Sequence, residues 1–196
     1  KAGAPEYVKA AFASGQLARR YNLPLRSSAP TASNAPDAQA AYESQMSLWG
    51  ALMGGANLIL HGAGWLEGGL TISAEKFIID VEVLQMFAEL FKPLEVTEAT
   101  LGLEAIADVG HGRHFFGTQH TLDRFETAFY SPLLSDWSNY ENYRDRGSVD
   151  ATQRANQIFF DKVKAHEPPP MDAARLEAID AFIAKRTEEG GANIER

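Results

Sequence analysis

The sequence has no cysteine in 196 residues, which excludes disulfides, thiolate nucleophiles, Cys-ligated zinc and iron–sulfur clusters. Positive charge is also short: 18 Lys and Arg stand against 26 Asp and Glu, a net charge of −8. That balance works against sequence-independent attraction to nucleic acid or anionic lipid, so neither partner is expected. Long hydrophobic runs are absent. The most apolar stretch, Leu58–Leu70, is broken by His61, Glu67 and several glycines and cannot cross about 30 Å of hydrocarbon. No phosphate fingerprint occurs either, because Gly62-x-Gly64 lacks the third glycine and the phosphate-binding helix start, and a nicotinamide enzyme is not supported. The chain opens at Lys1 without Met and without a basic-then-apolar leader, and it enters a helical pattern almost at once, as a piece of something longer would. A cytoplasmic location is expected.

What is present is an ordinary globular composition, 45% hydrophobic and 22% charged, long enough for one sizeable core. Helical spacing predicts a first helix from Pro5 to a stop at Asn22, then a short buried strand within Leu23–Ser28. Asp37 opens a second helix that ends at Gly54-Gly55, and Asn57–His61 reads as a second strand of the kind buried on both faces. Ser73 caps a third helix that Pro93 stops, and Thr97 or Thr100 begins a shorter one through Val109. Alternation of helices and strands with short connections implies parallel strands, hence α/β architecture. After Gly110 the pattern predicts a Gly/His loop to His120, a helix from Thr121 to about Tyr130, an aromatic segment Trp137–Tyr143, a segment Asp150–His166, the spacer Pro168-Pro169-Pro170 and a final amphipathic helix over Asp172–Glu188. The domain reading is therefore 1–110 as an α/β segment and 111–196 as a helical extension packed on it.

Two strands cannot close an eight-stranded barrel, which needs about 250 residues. The chain is thus a small open sheet or the end of a larger barrel, and open sheet edges lead to the expectation of a homo-oligomer. In parallel α/β folds ligands bind beyond the carboxyl ends of strands, which directs attention to Ser27–Asn34 and His61–Thr71. There His61 closes the second strand, and the loop from Gly62 to Gly69 combines backbone freedom with the ring of Trp65 and the carboxylate of Glu67. A ring and an anion together suit a cation. The bland alternative makes Trp65 core, His61 a partner of a backbone carbonyl and the glycines mere turns. Glu43, Glu67, Glu75 and Asp80 are further acid or base candidates, against the reading of helical carboxylates as caps or solvated faces. His111, His114 and His120 have a spacing that zinc could use, but no Cys and no helical His pair accompany them, so no metal site is expected and a ligand-facing loop is preferred.

Gly54-Gly55-Ala56-Asn57-Leu58 through Gly64-Trp65-Leu66-Glu67-Gly68-Gly69-Leu70-Thr71, with Asp37-Ala38-Gln39-Ala40-Ala41 upstream and Val109-Gly110-x-Gly112 to His120-Thr121 downstream, resembles the carboxyl-terminal part of the trimethylamine methyltransferase family. The resemblance spans nearly the whole chain. It implies the carboxyl-terminal part of a (β/α)8 TIM barrel, helix-rich with few parallel strands. It also implies methyl transfer from a quaternary or tertiary methylamine to the Co(I) of a separate corrinoid protein, with no cofactor bound directly. The founding members carry pyrrolysine within what is here Thr31–Asn34, most nearly at Ser33, and this chain has none. Members without it resemble demethylases of glycine betaine and other quaternary amines, which agrees with chemistry: a quaternary ammonium is an activated leaving group, a tertiary amine a poor one. On this reading His61 and Glu67 are the catalytic candidates and Trp65, Ser33, Phe115 and His120 the substrate-binding ones. The competing readings are a non-catalytic acidic module that binds a protein through Trp137–Tyr143, and a barrel enzyme for another cation such as carnitine or proline betaine.

Overall fold

A computed structural model describes residues 3–191. Its first half alternates helix and strand: α1 (Pro5–Arg20), β1 (Arg26–Ser28), α2 (Ala38–Met53) and β2 (Leu58–Leu60). Pro5 stands in the first turn of α1, where its missing N–H costs nothing, and Asp37 caps α2 by accepting from the Ala40 N–H at 3.1 Å. β1 and β2 run parallel with Arg26, Ser27 and Ser28 opposite Leu58, Ile59 and Leu60. Helices α1 and α2 approach so closely that a Cβ on Gly15 would lie 1.9 Å from the Gly54 carbonyl oxygen, so only glycine fits there. The core beneath the pair is built by Ala29, Leu48 and Phe87, with Leu52, Ile59, Val83 and Leu84 packed around them.

The segment expected as a plain glycine loop is a miniature hairpin. β3 (Trp65–Leu66) pairs antiparallel with β4 (Thr71–Ile72) across a 3-10 turn, Glu67–Gly69. Strands of two residues carry no periodicity, which is why sequence reading passed over them. The hairpin leads into α3 (Ala74–Leu90), whose N-cap Ser73 accepts from the Lys76 N–H.

Beyond Leu90 the helices shorten. Gly102, at φ +62°, splits the helix expected up to Val109 into α4 (Glu98–Leu101) and α5 (Leu103–Val109). The helix expected over Thr121–Tyr130 is corrected to a single turn, α6 (Gln119–Leu122), capped by Thr118 rather than Thr121. Phe125 and Phe129 are 62% and 80% exposed, and without a packed face a short helix is not maintained. After α7 (Tyr140–Asp145) comes α8 (Ala151–Lys164), whose Ala155, Ile158 and Phe159 pack with Leu134 on Ile78 and Ile79 of α3. The buried Glu82 fastens this layer by accepting from the Leu133 and Leu134 N–H groups at 2.8 and 3.0 Å and from Ser135 Oγ at 2.9 Å.

The chain forms two compact units, one reaching Asp161 and one starting at Lys162. The second contains α9 (Ala173–Glu188), capped by Asp172. Among the described residues the sheets are two pairs, β1–β2 and β3–β4; no closed barrel is formed. The class is α/β, rich in helix and poor in strand.

A candidate cation site at the carboxyl edge of the parallel strands

Chain direction brings the site together. Both parallel strands end at the same edge, so the loop after β1 and the hairpin after β2 meet there. The Glu67 N–H donates to the Ser33 carbonyl at 2.8 Å and the Gly68 N–H to the Thr31 carbonyl at 2.7 Å, tying one loop to the other. His61, Trp65, Glu67 and Ser33 are thus neighbours, although up to 34 positions separate them (67 − 33).

Each loop has its own internal support. Glu43, on α2, reaches over the first loop and accepts from Thr31 Oγ1 at 2.5 Å, the Ala32 N–H at 2.7 Å, the Ser33 N–H at 3.2 Å and Gln39 Nε2 at 2.9 Å. Burial opposes its ionisation, but these donors outweigh burial and hold the carboxyl below the usual range. A carboxyl depressed on folding contributes stability that is complete above its unfolded value, about 4.3, and is lost as pH falls through the lower folded value. The Ala32 and Ser33 amide resonances should therefore move together with a midpoint below about 4.3. A midpoint above it would mean that burial dominates at Glu43.

Beneath the hairpin lies a buried trio. Lys76 and Asp80, one turn apart on α3, form an ion pair that is 1% and 2% exposed. Lys76 Nζ also donates to Ser44 Oγ on α2 at 2.8 Å, and Asp80 accepts from the Gly64 N–H at 2.8 Å. Burial pushes the Lys76 ammonium down and the Asp80 carboxyl up, against the attraction between them. Gly64, at φ +85° with room only to 3.3 Å from Phe77 Cβ, is thereby pinned immediately before Trp65.

The backbone at the site is unusual as well. His61 and Glu67 are non-glycine residues at φ +54° and +51°, a left-handed conformation that costs about 1–2 kcal/mol each. The turn at His61 swings its imidazole back over β1, where Nδ1 lies 2.6 Å from Ser28 Oγ, and sets the ring edge-on to Trp65 with centroids 5.0 Å apart. Trp65 is half-buried and Glu67 is exposed, its carboxylate accepting from Thr71 Oγ1 at 3.0 Å. Ser33 is placed differently from a side chain that faces a ligand: its hydroxyl is 3.0 Å from the Ala35 carbonyl and 3.3 Å from Asp37. It supports the loop and offers its carbonyl to Glu67.

Phe115 and His120 are not brought to this cluster by any described contact. His120 Nε2 lies 2.8 Å from the Ala99 carbonyl and against Gly102, beside a cavity of about 700 Å³ that Glu98, Asp108 and Gln119 also line. Phe115 is 45% exposed, its carbonyl accepting from Thr118 Oγ1. Among the described residues no three His, Asp or Glu side chains converge as a metal would require. Ser28 and Thr31 lie within the Ser27–Asn34 segment that the strand ends pointed to, without being singled out there, and Lys76 was not among the candidates. Only Lys76 carried a signal, a lone cation four residues before Asp80 on an otherwise apolar face.

A half-buried Trp65 ring in contact with His61, and an exposed carboxylate at Glu67 in the turn of the same hairpin, are the residue types that a small organic cation attracts. A family model described as trimethylamine methyltransferase matches residues 1–191. Glycine betaine methyltransferase of Desulfitobacterium hafniense (strain Y51) is 37% identical over 190 residues, covering 96% of this chain and 40% of that protein. Trimethylamine methyltransferase MttB2 of Methanosarcina mazei is 35% identical over 184 residues, 93% of this chain and 37% of that one. MttB of Methanosarcina barkeri (strain Fusaro) is 32% identical over 184 residues with the same coverage. The chain spans about two fifths of the length of these relatives.

Proposed function

The chain belongs to the trimethylamine methyltransferase family, and from that premise we propose that it serves methyl transfer from a quaternary methylamine of the glycine betaine kind to the Co(I) of a separate corrinoid protein. The observation that carries the reading is the contact of His61 with Trp65 at the carboxyl edge of two parallel strands, with Glu67 in the turn that follows, within a chain matched to the family from end to end of its described part. We read β1 and β2 as neighbouring strands of a (β/α)8 barrel, because among the described residues each keeps one unpaired edge and α1, α2 and α3 follow the order such a barrel requires.

The chemistry asks little of side chains. The C–N bond breaks with its electron pair left on nitrogen, so a quaternary ammonium departs as a neutral tertiary amine while the corrinoid supplies the nucleophile. Trp65 offers its face to the cation, Glu67 adds negative charge with one described hydrogen bond on it, and Glu43, saturated by four donors, keeps the loop rather than the ligand. Ser33 at the place where the founding members carry pyrrolysine leaves no electrophile to hold a neutral amine, which favours a quaternary substrate over trimethylamine.

The natural chain should convert glycine betaine to dimethylglycine with a reduced corrinoid protein as acceptor, and should fail with trimethylamine. Transfer from trimethylamine but not betaine would reverse the substrate reading. Transfer from neither, nor from carnitine or proline betaine, would overturn the function.

A further inference from the structure

We propose that Ser28 holds His61 in the Nδ1–H tautomer and so leaves Nε2 as the acceptor nitrogen of the ring. Ser28 Oγ has one proton and two neighbours: His61 Nδ1 at 2.6 Å and the Leu60 carbonyl oxygen at 3.2 Å. If the hydroxyl gave its proton to Nδ1, its oxygen would face the Leu60 carbonyl with no hydrogen between them. If it donates to Leu60 and accepts from Nδ1–H, both contacts are attractive. The second assignment makes two hydrogen bonds where the first makes one.

Ser28 is well placed to impose this. It ends β1 opposite Leu60, its own carbonyl accepts from Tyr7 Oη at 2.9 Å, and the following Ala29 N–H donates to Leu60 at 2.9 Å. The left-handed turn at His61 returns the ring to that fixed hydroxyl. Elsewhere the ring lies against Gly69, where a Cβ would stand 3.5, 3.6 and 3.9 Å from Nε2, Cδ2 and Cε1, so glycine there leaves room for the face of the imidazole. Free histidine prefers the opposite tautomer, and Ser28 therefore acts as a positioning residue that sets which nitrogen meets the ligand.

The consequence deepens the functional reading and rests on it. A neutral His61 with Nε2 as acceptor does not donate to a substrate carboxylate; it holds a water or takes a proton. Nitrogen-15 spectra of the 196-residue chain, recorded above the titration of its imidazoles and assigned by loss of signal in His61→Asn, should show His61 protonated at Nδ1. Ser28→Ala should shift the ring toward Nε2–H, and Ser28→Thr should restore Nδ1–H. A parent spectrum with the proton on Nε2, or a Ser28→Ala spectrum identical to the parent, would overturn the proposal, and the parent spectrum decides even if the variant does not fold. Methyl transfer separates the two claims: if Ser28→Ala changes the tautomer but leaves kcat and KM untouched, the tautomer assignment stands and the catalytic reading of His61 falls.

Discussion

Asp80→Ala is expected to lower the unfolding midpoint of the chain by roughly 10 °C. The substitution leaves the Lys76 ammonium 1% exposed with only Ser44 beside it, and stranding one partner of a buried ion pair costs about 3–5 kcal/mol. For a chain of this length each kcal/mol moves the midpoint by about 2–4 °C. The Gly64 N–H loses its acceptor in the same step, so the hairpin that carries Trp65 loosens as well. Replacing the pair by apolar residues of similar volume, Lys76→Met with Asp80→Leu, should recover the part of the loss that comes from the stranded charge, but not the part that comes from the Gly64 N–H, which still lacks its acceptor. Calorimetry of the parent, the single variant and the double variant tests this. A single variant within about 1 kcal/mol of the parent would show that the pair reaches solvent and does not anchor the hairpin.

Trp65→Ala and His61→Ala are expected to separate binding from turnover in methyl transfer from glycine betaine. On the proposed reading Trp65 meets the cation in ground and transition states alike, so its loss is uniform: affinity should fall by roughly 1–2 kcal/mol, about 5- to 30-fold, with kcat little changed. His61 is held by Ser28 on one side and by the edge-on contact with Trp65 on the other, which places its free nitrogen rather than adding binding energy. Removing it should lower kcat about 10²-fold with a smaller change in KM. The measurement is steady-state transfer to a reduced corrinoid protein with the two variants beside the parent. Equal losses of kcat in both, with KM unmoved, would assign Trp65 to packing and leave no cation contact in the site.

Much of the fold was legible along the chain because caps, breakers and apolar runs are local signals, although β2 is not buried on both faces as expected, Leu58 being 55% exposed. Pro5, Asp37 and Ser73 mark the starts of α1, α2 and α3 in the sequence and stand there in the structure. Leu58–Leu60 is an apolar run between turn residues and is a parallel strand. Where a segment has no packed face the signals misled: Thr121–Tyr130 has helical spacing, yet only one turn survives, since spacing alone does not stabilise ten residues in water.

The sequence by itself determined the α/β class, the family and the two strand ends where polar residues gather, because these depend on patterns within a few residues or on runs of identity. Only the tertiary structure decided which of those residues lie together. Glu67 meets Ser33, and Ser28 meets His61, through parallel pairing of strands that lie 32 positions apart in register (58 − 26), whereas Phe115 and His120 keep to other neighbours. The burial of Lys76 and Asp80 was faintly legible at most: an i, i+4 pair on a helix reads the same in sequence whether water or another helix covers it, and only the apolar residues around Lys76 hinted at cover. What covers it here is α2, which donates no sequence signal to α3 but places Ser44 against Lys76.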